Sequence, residues 1–317
     1  MGQSQENLSP SEALEVLDSP AAALADLFVA AGTLRRRHRG QKVFLQAITS
    51  LKNGDCAEDC AYCAQSNFSS HETPTYRLLP ADELLEKGQR LAEAKVDRHC
   101  LGFSGLRFSD AEIGVICARI AELKAQTDTP ICCSIGLLTS SQAKALKAAG
   151  VDRVNHNLNT SERYYPQICS THTYAERIKN LWSFKAAGLE LCCGGIVGLG
   201  EEKTDVVAML MAIKELKPAS VPINFYVPIP GTALATRAKA PITSEYRLKV
   251  LALARFLLPN VEIRCAAGRE KYLADFTPYV LAAADSIFVE GYLTVGGQGL
   301  ASTIAAIEAA GYEAAWG

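Results

Sequence analysis

The chain lacks the charge pattern of a nucleic-acid-binding protein. Its 32 lysines and arginines are balanced by 34 aspartates and glutamates, which leaves a net charge of -2 at pH 7. Proteins that bind nucleic acid usually carry a basic face that neutralises phosphates. We therefore expect small molecules as partners and no nucleic acid.

Long uncharged apolar runs are also missing, and the N-terminal stretch MGQSQENLSPSEALEVLDS is acidic and polar. A membrane-spanning helix needs about 20 apolar residues, and a secretory leader needs a basic start and an apolar core. The sequence therefore predicts a cytoplasmic protein without membrane segments. Disulfide frameworks are rare in that reducing compartment, so the 11 cysteines favour metal binding or redox chemistry.

Capping signals predict two helices ahead of the main body. The stretch SPSE at residues 9–12 has the order of an N-cap, a first-turn proline and a capping-box glutamate. A second helix is predicted to end near Gly40, and its basic end, Arg35 to Arg39, is typical of a solvated helix terminus. We assign residues 1–40 as an N-terminal helical extension.

Eight β-rich runs alternate with helical segments beyond Gly40. The runs are KVFLQAITS (42–50), RHCLGFS (98–104), PICCSIG (130–136), DRVNHNL (152–158), ELCCGGIVG (190–198), SVPINFYV (220–227), VEIRCAAG (261–268) and DSIFVEG (285–291). Eight strands, each followed by a helix over about 250 residues, are typical of an α/β fold, the (β/α)8 TIM-type barrel, whose active site lies at the C-terminal strand ends. We assign residues 41–317 to one such barrel, with a doubly wound sheet as the alternative.

Three cysteines follow the first predicted strand within eight residues. Cys56, Cys60 and Cys63 stand in GDCAEDCAYCAQS, and no fourth cysteine or histidine follows close by. A structural zinc site closes with four protein ligands, and a CxxC pair alone would favour thiol exchange. Three thiolates can instead hold three irons of a cubane cluster and leave the fourth iron open to a small molecule. The motif therefore predicts a reactive iron–sulfur centre.

Further cysteines lie on the predicted strands. They are Cys100, Cys132, Cys133, Cys192, Cys193 and Cys265. Side chains alternate between the faces of a strand, so only one member of each doublet can face the barrel interior. Any one strand cysteine is ordinarily a small buried core residue, but inward cysteines from three strands could meet at a metal. Cys117 and Cys169 are expected to be structural.

The fourth predicted strand carries alternating asparagines. Asn155, Asn157 and Asn159 are expected to project to one face, with His156 packing on the other. A buried amide without hydrogen-bond partners costs about 1 to 3 kcal/mol, so three of them together predict a polar ligand pocket. Asn224, on the sixth strand, joins that pocket if it faces inward.

The motif CxxxCxxC, with Tyr62 before its last cysteine, is similar to the signature of the radical S-adenosylmethionine (SAM) superfamily. Together with NHNLNTS, CGGIVGLGE, SVPINFYVPIPGT and AAGRE, in this order, it closely resembles the biotin synthase family over nearly the whole chain. The resemblance implies a sulfurtransferase that converts dethiobiotin to biotin. It also implies a homodimer and a flavodoxin or ferredoxin as the electron donor.

The resemblance further implies roles for individual residues. A [4Fe-4S] cluster that binds SAM would be held by Cys56, Cys60 and Cys63. An auxiliary [2Fe-2S] cluster, the sulfur donor, would be held by Cys100, Cys132, Cys192 and Arg264. The implied ligand contacts are Arg177 with the methionine carboxylate of SAM, Asn159 with its ribose, Asn157 with SAM and substrate, and Asn155 and Asn224 with the substrate's ureido ring.

Several alternatives stay open. Cys265 could face inward in place of Arg264, and the auxiliary cluster could then be a four-iron cluster with an extra sulfide. Radical SAM relatives of the hydrogenase-maturation or methylornithine-synthase type would keep the cysteine triad without the residues that hold the auxiliary cluster. An iron–sulfur sensor would not need a SAM pocket at all.

Overall fold

The structure, a computed structural model, describes residues 8–237, 241–290 and 299–315. Residues 1–7 of the predicted extension, and 238–240, 291–298 and 316–317 of the predicted barrel domain, lie outside these ranges. The described strands are β1 (Lys42–Lys52), β2 (Arg98–Phe103), β3 (Ile131–Ser134), β4 (Arg153–Asn155), β5 (Glu190–Cys192), β6 (Gly195–Val197), β7 (Ser220–Phe225), β8 (Glu262–Cys265), β9 (Ser286–Phe288) and β10 (Glu313–Ala315).

The described α-helices lie between and around these strands. They are α1 (Pro10–Asp18), α2 (Leu24–Arg39), α3 (Ala81–Glu93), α4 (Asp110–Gln126), α5 (Ser140–Ala148), α6 (Tyr174–Ala186), α7 (Lys203–Leu216), α8 (Ser244–Leu257), α9 (Arg269–Tyr272), α10 (Thr277–Ala283) and α11 (Leu300–Ala309). Within the described ranges, no helix has the length and apolar composition of a membrane span.

Eight strand positions close into a parallel barrel. The strands pair in the order β1, β2, β3, β4, β5, β7, β8 and β9, and β9 pairs back onto β1. β6 continues beyond β5 and also pairs with β7. The predicted (β/α)8 barrel is confirmed, and each predicted run contributes to it. β10, which pairs with the start of β1, was not predicted.

The fifth predicted run folds as two short strands instead of one. Gly194 lies at the break, and a Cβ atom there would overlap the carbonyl oxygen of Pro222 on the neighbouring strand. Glycine permits this close backbone approach because it has no side chain. The N–H group of Gly194 donates instead to the side chain of Asn157 at 3.0 Å. The backbone at the break therefore binds the side chain of Asn157, a predicted site residue.

The N-terminal helices pack against the outer layer of the barrel. The predicted capping box is confirmed, since Ser9 N–H donates to the Glu12 carboxylate at 2.8 Å and Glu12 N–H donates to Ser9 Oγ at 3.3 Å. α1 contacts α7 and α8, while α2 contacts α8 and α10. The division into an extension and a barrel at residue 40 stays a prediction.

The basic end of α2 is not simply a solvated terminus, so that prediction was wrong for Arg35. Its guanidinium is fully buried, donates to three backbone carbonyls at 2.8 to 3.1 Å, and lies 3.4 Å from the Asp285 carboxylate. Asp285 is also fully buried and pairs with Arg255. A buried charge needs such partners to offset its desolvation. Two of the three carbonyls are local, whereas the carboxylate and the third carbonyl come from the distant residues Asp285 and Ala284.

Buried His156 should make the fold sensitive to acid. As predicted, the ring packs on the helix side of the sheet, with Nδ1 3.2 Å from the Ile135 carbonyl and its edge against Phe184. Burial lowers the pKa of His156 to about 3. The unfolded chain takes up this proton near pH 6.5, so stability falls as the pH drops below that value. Between pH 7 and 5.5, this residue should remove about 1 kcal/mol of stability.

Urea unfolding at the two pH values measures this effect. The His156→Phe variant should lose about 1 kcal/mol less stability on acidification than the unaltered protein. His71→Phe, at a partly exposed loop position, is the control and should keep the original pH dependence. An unchanged pH dependence in His156→Phe would contradict the prediction.

Candidate active site

A cavity of about 510 Å³ opens at the C-terminal ends of the barrel strands. This volume is in the range of small-molecule sites. The predicted residues that line it are Cys56, Tyr62, Cys60, Cys63, Asn155, Asn157, Asn159, Arg177 and Asn224. The structure therefore brings the whole predicted SAM and substrate set to one cavity.

The loop that carries the three cysteines is held by backbone hydrogen bonds. Cys56 N–H donates to the Gln65 carbonyl at 3.2 Å, which closes the loop on itself. Ala61 N–H donates to Ile168 at 2.8 Å, and the Ala61 carbonyl accepts from Leu234 N–H at 2.8 Å. All three cysteines are half-buried and line the cavity. The loop is fixed, yet its thiols remain open to a ligand.

Sequence reasoning missed a pair of residues beside Cys60. Cys169, expected to be structural, has its sulfur 3.8 Å from that of Cys60, and His172 Nδ1 lies 3.3 Å from Cys169 Sγ. The hydrogen bond with Cys60 lowers the pKa of Cys169 to about 4, while it raises the pKa of Cys60. Cys60 and Cys169 are 109 residues apart in the chain, so no local spacing links them.

Asp59 attaches the cysteine loop to the segment that carries Cys169. Its carboxylate accepts from the backbone N–H groups of Ser170 at 2.9 Å and Thr171 at 3.2 Å. Burial alone would raise the pKa of Asp59, but the hydrogen bonds from Ser170 and its neighbours outweigh burial and lower it. The one available signal was an acidic residue between two motif cysteines, which by itself indicates no partner.

Arg177 is oriented by three neighbours at the cavity wall. Nε donates to the Tyr165 hydroxyl at 2.5 Å, Nη1 to the Asn157 carbonyl at 3.0 Å, and Nη2 to His172 Nε2 at 2.8 Å. A guanidinium only donates, so His172 Nε2 accepts and Nδ1 carries the proton that faces the Glu58 carboxylate at 2.6 Å. This chain of contacts from Glu58 fixes the direction of Arg177.

The asparagines reach the cavity differently from the prediction. β4 ends at Asn155, so Asn157 and Asn159 lie in the following loop, and Asn159 has a left-handed φ of 69°. Their placement therefore depends on this turn as well as on strand alternation. Asn155 Nδ2 donates to Asn157 Oδ1 at 3.1 Å, and Asn224 Nδ2 donates to the Gly195 carbonyl at 3.0 Å. The side chains of Asn155, Asn157 and Asn224 therefore have hydrogen-bond partners, as buried amides require.

Three buried thiols and one guanidinium meet below the cavity. Cys100, Cys132 and Cys192 pack in one cluster with Ala266 and Phe288, which also line the cavity. Arg264 Nη1 lies 3.7 Å from Cys192 Sγ, and Asn155 Nδ2 lies 3.2 Å from the same sulfur. Asn155 therefore connects the cavity to the buried thiols.

The second cysteine of each doublet, and Cys265 after Arg264, lie on the opposite side of the sheet from this cluster. Cys133, Cys193 and Cys265 belong to the apolar core between strands and helices. The structure thus divides the strand cysteines as the alternation predicts. Arg264 faces the barrel interior and Cys265 faces the helices. Which of the two ligates a cluster stays a prediction.

A buried charge network surrounds Arg264. Nη2 donates to the Glu262 carboxylate at 2.9 Å and to Ser220 Oγ at 3.0 Å, and Glu262 also pairs with Arg153 at 2.8 Å. Burial alone would raise the pKa of Glu262, but the guanidiniums of Arg264 and Arg153 outweigh burial and lower it. Because Glu262 and Ser220 engage Nη2, Nη1 is the nitrogen turned toward the thiols.

Comparisons with known proteins place this geometry in a family. Residues 52–232 match the Radical SAM superfamily, and residues 222–313 match the Biotin and Thiamin Synthesis associated domain. A biotin synthase of Anoxybacillus flavithermus is 40% identical over 92% of this chain and 88% of that protein. A biotin synthase of Thermus thermophilus is 42% identical over the same shares. The chain belongs to the biotin synthase family.

Solved structures show that enzymes with other chemistry share this fold. Methylornithine synthase (PylB) has a TM-score of 0.85 at 19% identity, over 98% of this chain and 94% of that one. The FeFe-hydrogenase maturase HydG from Carboxydothermus hydrogenoformans has a TM-score of 0.86 at 18% identity, over 98% and 77%. At such low identity the likeness shows the fold alone. Membership of the biotin synthase family implies a [4Fe-4S] cluster and SAM.

Proposed function

We propose that the protein is a biotin synthase, a radical SAM sulfurtransferase that converts dethiobiotin to biotin. The observation that carries this proposal is the buried set of Cys100, Cys132, Cys192 and Arg264, which lies below a cavity lined by the cysteine loop. A radical SAM relative that inserts no sulfur needs the loop but not the buried thiols. The second set therefore favours sulfur insertion over the other chemistries of this fold.

The two donor sets fit two different clusters. We assign the SAM-binding [4Fe-4S] cluster to Cys56, Cys60 and Cys63, because three thiols open to a cavity leave room for an exchangeable ligand. We assign an auxiliary [2Fe-2S] cluster to the buried set, with Arg264 Nη1 as its fourth ligand. When bound, these cofactors and SAM supply a 5′-deoxyadenosyl radical for hydrogen abstraction and a sulfide for carbon–sulfur bond formation.

The chain's own residues position the small molecules and exclude water. The planar guanidinium of Arg177 suits the methionine carboxylate of SAM, because it can donate two parallel hydrogen bonds to a carboxylate. Asn159 is assigned to the ribose and Asn157 to both SAM and substrate. Asn224 and Asn155 are assigned to the ureido ring of dethiobiotin. Asn155 also contacts Cys192 Sγ, which favours it as the residue that fixes the substrate close to the sulfur source.

Isotope transfer with cluster counting tests the proposal. The protein is reconstituted without oxygen using labelled sulfide, examined by Mössbauer spectroscopy, and then given SAM, dethiobiotin and reduced flavodoxin. We expect [4Fe-4S] and [2Fe-2S] signals, unchanged in Cys265→Ala, and labelled sulfur in the biotin product. A single cluster type without biotin would instead favour a relative that inserts no sulfur. An auxiliary signal of more than two irons that disappears in Cys265→Ala would overturn the assignment of Arg264.

The family resemblance also supports two partners. We propose a homodimer, which light scattering tests, and a flavodoxin or ferredoxin as electron donor, which the rate of SAM cleavage with each reduced donor tests. An iron–sulfur sensor, the non-enzymatic alternative, would cleave no SAM with either donor.

Arg177→Lys should weaken SAM binding by about 10- to 100-fold. A lysine keeps the positive charge but loses the planar fork that can bind a carboxylate through two parallel hydrogen bonds. Hydrogen bonds to charged groups contribute about 1.5 to 3 kcal/mol, which sets this range. Equilibrium binding of SAM to the reconstituted protein measures the change.

Arg107→Lys is the matched control for this substitution. Arg107 is mostly exposed and pairs with Glu176 at the surface, so its replacement should leave SAM binding unchanged. Equal SAM affinity in Arg177→Lys and the unaltered protein would remove Arg177 from the SAM site.

A further inference from the structure

We propose that the protein, when free of its iron–sulfur clusters, binds one zinc ion through Cys60, Cys169 and His172. The ligand atoms of these residues all lie within 4.8 Å of one another, and no other group of three such side chains does so within residues 8–237, 241–290 and 299–315. Two thiolates and one imidazole form a donor set typical of zinc. The radical reaction proposed above uses neither Cys169 nor His172 as a ligand.

The distances match a tetrahedral ion. With zinc–sulfur bonds of about 2.3 Å and zinc–nitrogen bonds of about 2.0 Å, two sulfurs lie about 3.8 Å apart, and sulfur and nitrogen about 3.5 Å apart. The sulfurs of Cys60 and Cys169 are 3.8 Å apart. Cys169 Sγ lies 3.3 Å from His172 Nδ1 and 3.8 Å from Nε2. These two spacings are close to those of a tetrahedral ion, and the third, between Cys60 Sγ and the ring nitrogen, is below 4.8 Å.

The loop triad has a different spacing. The three sulfurs of Cys56, Cys60 and Cys63, all described, do not lie within 4.8 Å of one another. A cubane holds each thiolate on a separate iron and suits this wider arrangement, whereas a single ion does not. Cys60 therefore belongs to two sets of ligands. One is the widely spaced loop triad, the other is the closely spaced set with Cys169 and His172, and the two sets share only the Cys60 sulfur.

The surroundings of His172 resemble those of a metal ligand. His172 and Cys169 are buried, and the Glu58 carboxylate lies 2.6 Å from Nδ1 of the ring. Metal-ligating histidines usually donate their second N–H group to a carboxylate, which fixes the tautomer. With Nδ1 held by Glu58, Nε2 is the ligating nitrogen, and the ion replaces Arg177 Nη2 as its partner.

Bound zinc would oppose assembly of the iron–sulfur cluster. It would occupy Cys60, and thiolate and imidazole sites bind zinc more tightly than ferrous iron. This consequence rests on the proposed function, because it requires Cys60 to be a cluster ligand. Binding of the ion itself does not depend on that assignment.

Cobalt binding to the full-length, iron-free protein under reducing conditions tests the site. Tetrahedral thiolate-bound cobalt absorbs visible light, and zinc should displace it at one ion per chain. Cys169→Ser and His172→Asn should each lower affinity by at least about 100-fold, since loss of a ligand exceeds the usual effect of losing an outer-shell partner. Cys56→Ser, Cys63→Ser and the distant control Cys117→Ser should retain full affinity.

Two outcomes would overturn the inference. One is loss of cobalt binding in Cys56→Ser and Cys63→Ser but not in Cys169→Ser, which would assign the ion to the loop triad. The other is no stoichiometric binding by the unaltered protein. Near-ultraviolet circular dichroism of each variant verifies that the fold is retained, so that a loss of binding reports on the ligand.

Iron uptake separates this inference from the proposed function. Zinc-loaded protein should assemble fewer [4Fe-4S] clusters than zinc-free protein, whereas Cys169→Ser should assemble them equally well with or without added zinc. If Cys56→Ser and Cys63→Ser still assembled complete [4Fe-4S] clusters, the proposed cluster ligands would be wrong. The zinc site would not be affected by that result.

Discussion

Cys132→Ala should abolish biotin formation while the protein still cleaves SAM. Cys132 is fully buried on β3 and packs in one cluster with Cys100 and Cys192. Its removal should eliminate the proposed auxiliary cluster, whereas the cysteine loop at the cavity is untouched. Iron content should fall from about six to about four atoms per chain, the difference expected of a [2Fe-2S] cluster. Iron analysis, biotin yield and release of 5′-deoxyadenosine measure the three quantities.

Cys133→Ala is the matched control for this experiment. Cys133 is the next residue on the same strand and is equally buried, but its side chain lies in the core between strands and helices. This variant should keep its iron and its biotin yield and lose only the packing of one sulfur. Equal iron loss in both variants would show that the effect came from damage to β3 and not from a lost ligand.

Asp285→Asn should lower the free energy of unfolding by about 3 to 5 kcal/mol. The carboxylate is fully buried, pairs with Arg255 and Arg35, and accepts from the Ile263 N–H group at 2.8 Å. Asparagine has nearly the same shape but no charge, so both buried guanidiniums would lose their counterion. Breaking a buried ion pair by removal of one partner typically costs this amount. Urea unfolding measures it.

Glu83→Gln provides the comparison for a surface pair. Glu83 and Lys87 form an i,i+4 pair on α3 with both side chains exposed, so the loss should be only about 0.3 to 0.5 kcal/mol. A similar small loss in Asp285→Asn would mean that Arg35 and Arg255 keep adequate solvation without the carboxylate. In that case the contact between α2 and the end of α10 would not depend on this charge.

The open cavity and the buried thiols lie at two different depths in the barrel. The cysteine loop, Arg177 and the asparagines line the open cavity, where a small molecule can enter. The buried thiols lie beneath, in a place shielded by Phe288 and Ala266. Under the function proposed above, a sulfur source held by these thiols is kept away from solvent, which suits a reaction that must exclude competing hydrogen donors. Asn155 connects the two levels through its contact with Cys192.

Strand alternation correctly predicted that the two cysteines of each doublet lie on opposite sides of the sheet, and the family resemblance indicated which one faces inward. The rule holds because neighbouring side chains on a strand must point to opposite faces, whatever the rest of the fold does. The alternation rule did not apply beyond the end of β4. β4 ends at Asn155, and the left-handed residue Asn159 turns the chain, so the positions of Asn157 and Asn159 depend on a loop conformation that alternation does not describe.

The break in the fifth strand was likewise outside the reach of local pattern. The run ELCCGGIVG has the composition of one continuous strand, yet the approach of Pro222 leaves room only for glycine at residue 194. That approach depends on how two neighbouring strands cross in the closed barrel. A sequence pattern carries the conformational preference of a segment but not its distance from another segment.

The sequence by itself determined the barrel, from the order of its strand and helix segments. It also determined the capping box of α1, the cysteine motif and the division of each cysteine doublet, because each of these follows from spacing within one segment. Only the tertiary structure decided that Asp285 buries Arg35 and that Cys169 and His172 lie beside Cys60. These contacts join residues more than 100 positions apart. Such pairs meet only when the barrel closes and the loops at its C-terminal end converge, which no periodicity within a segment records.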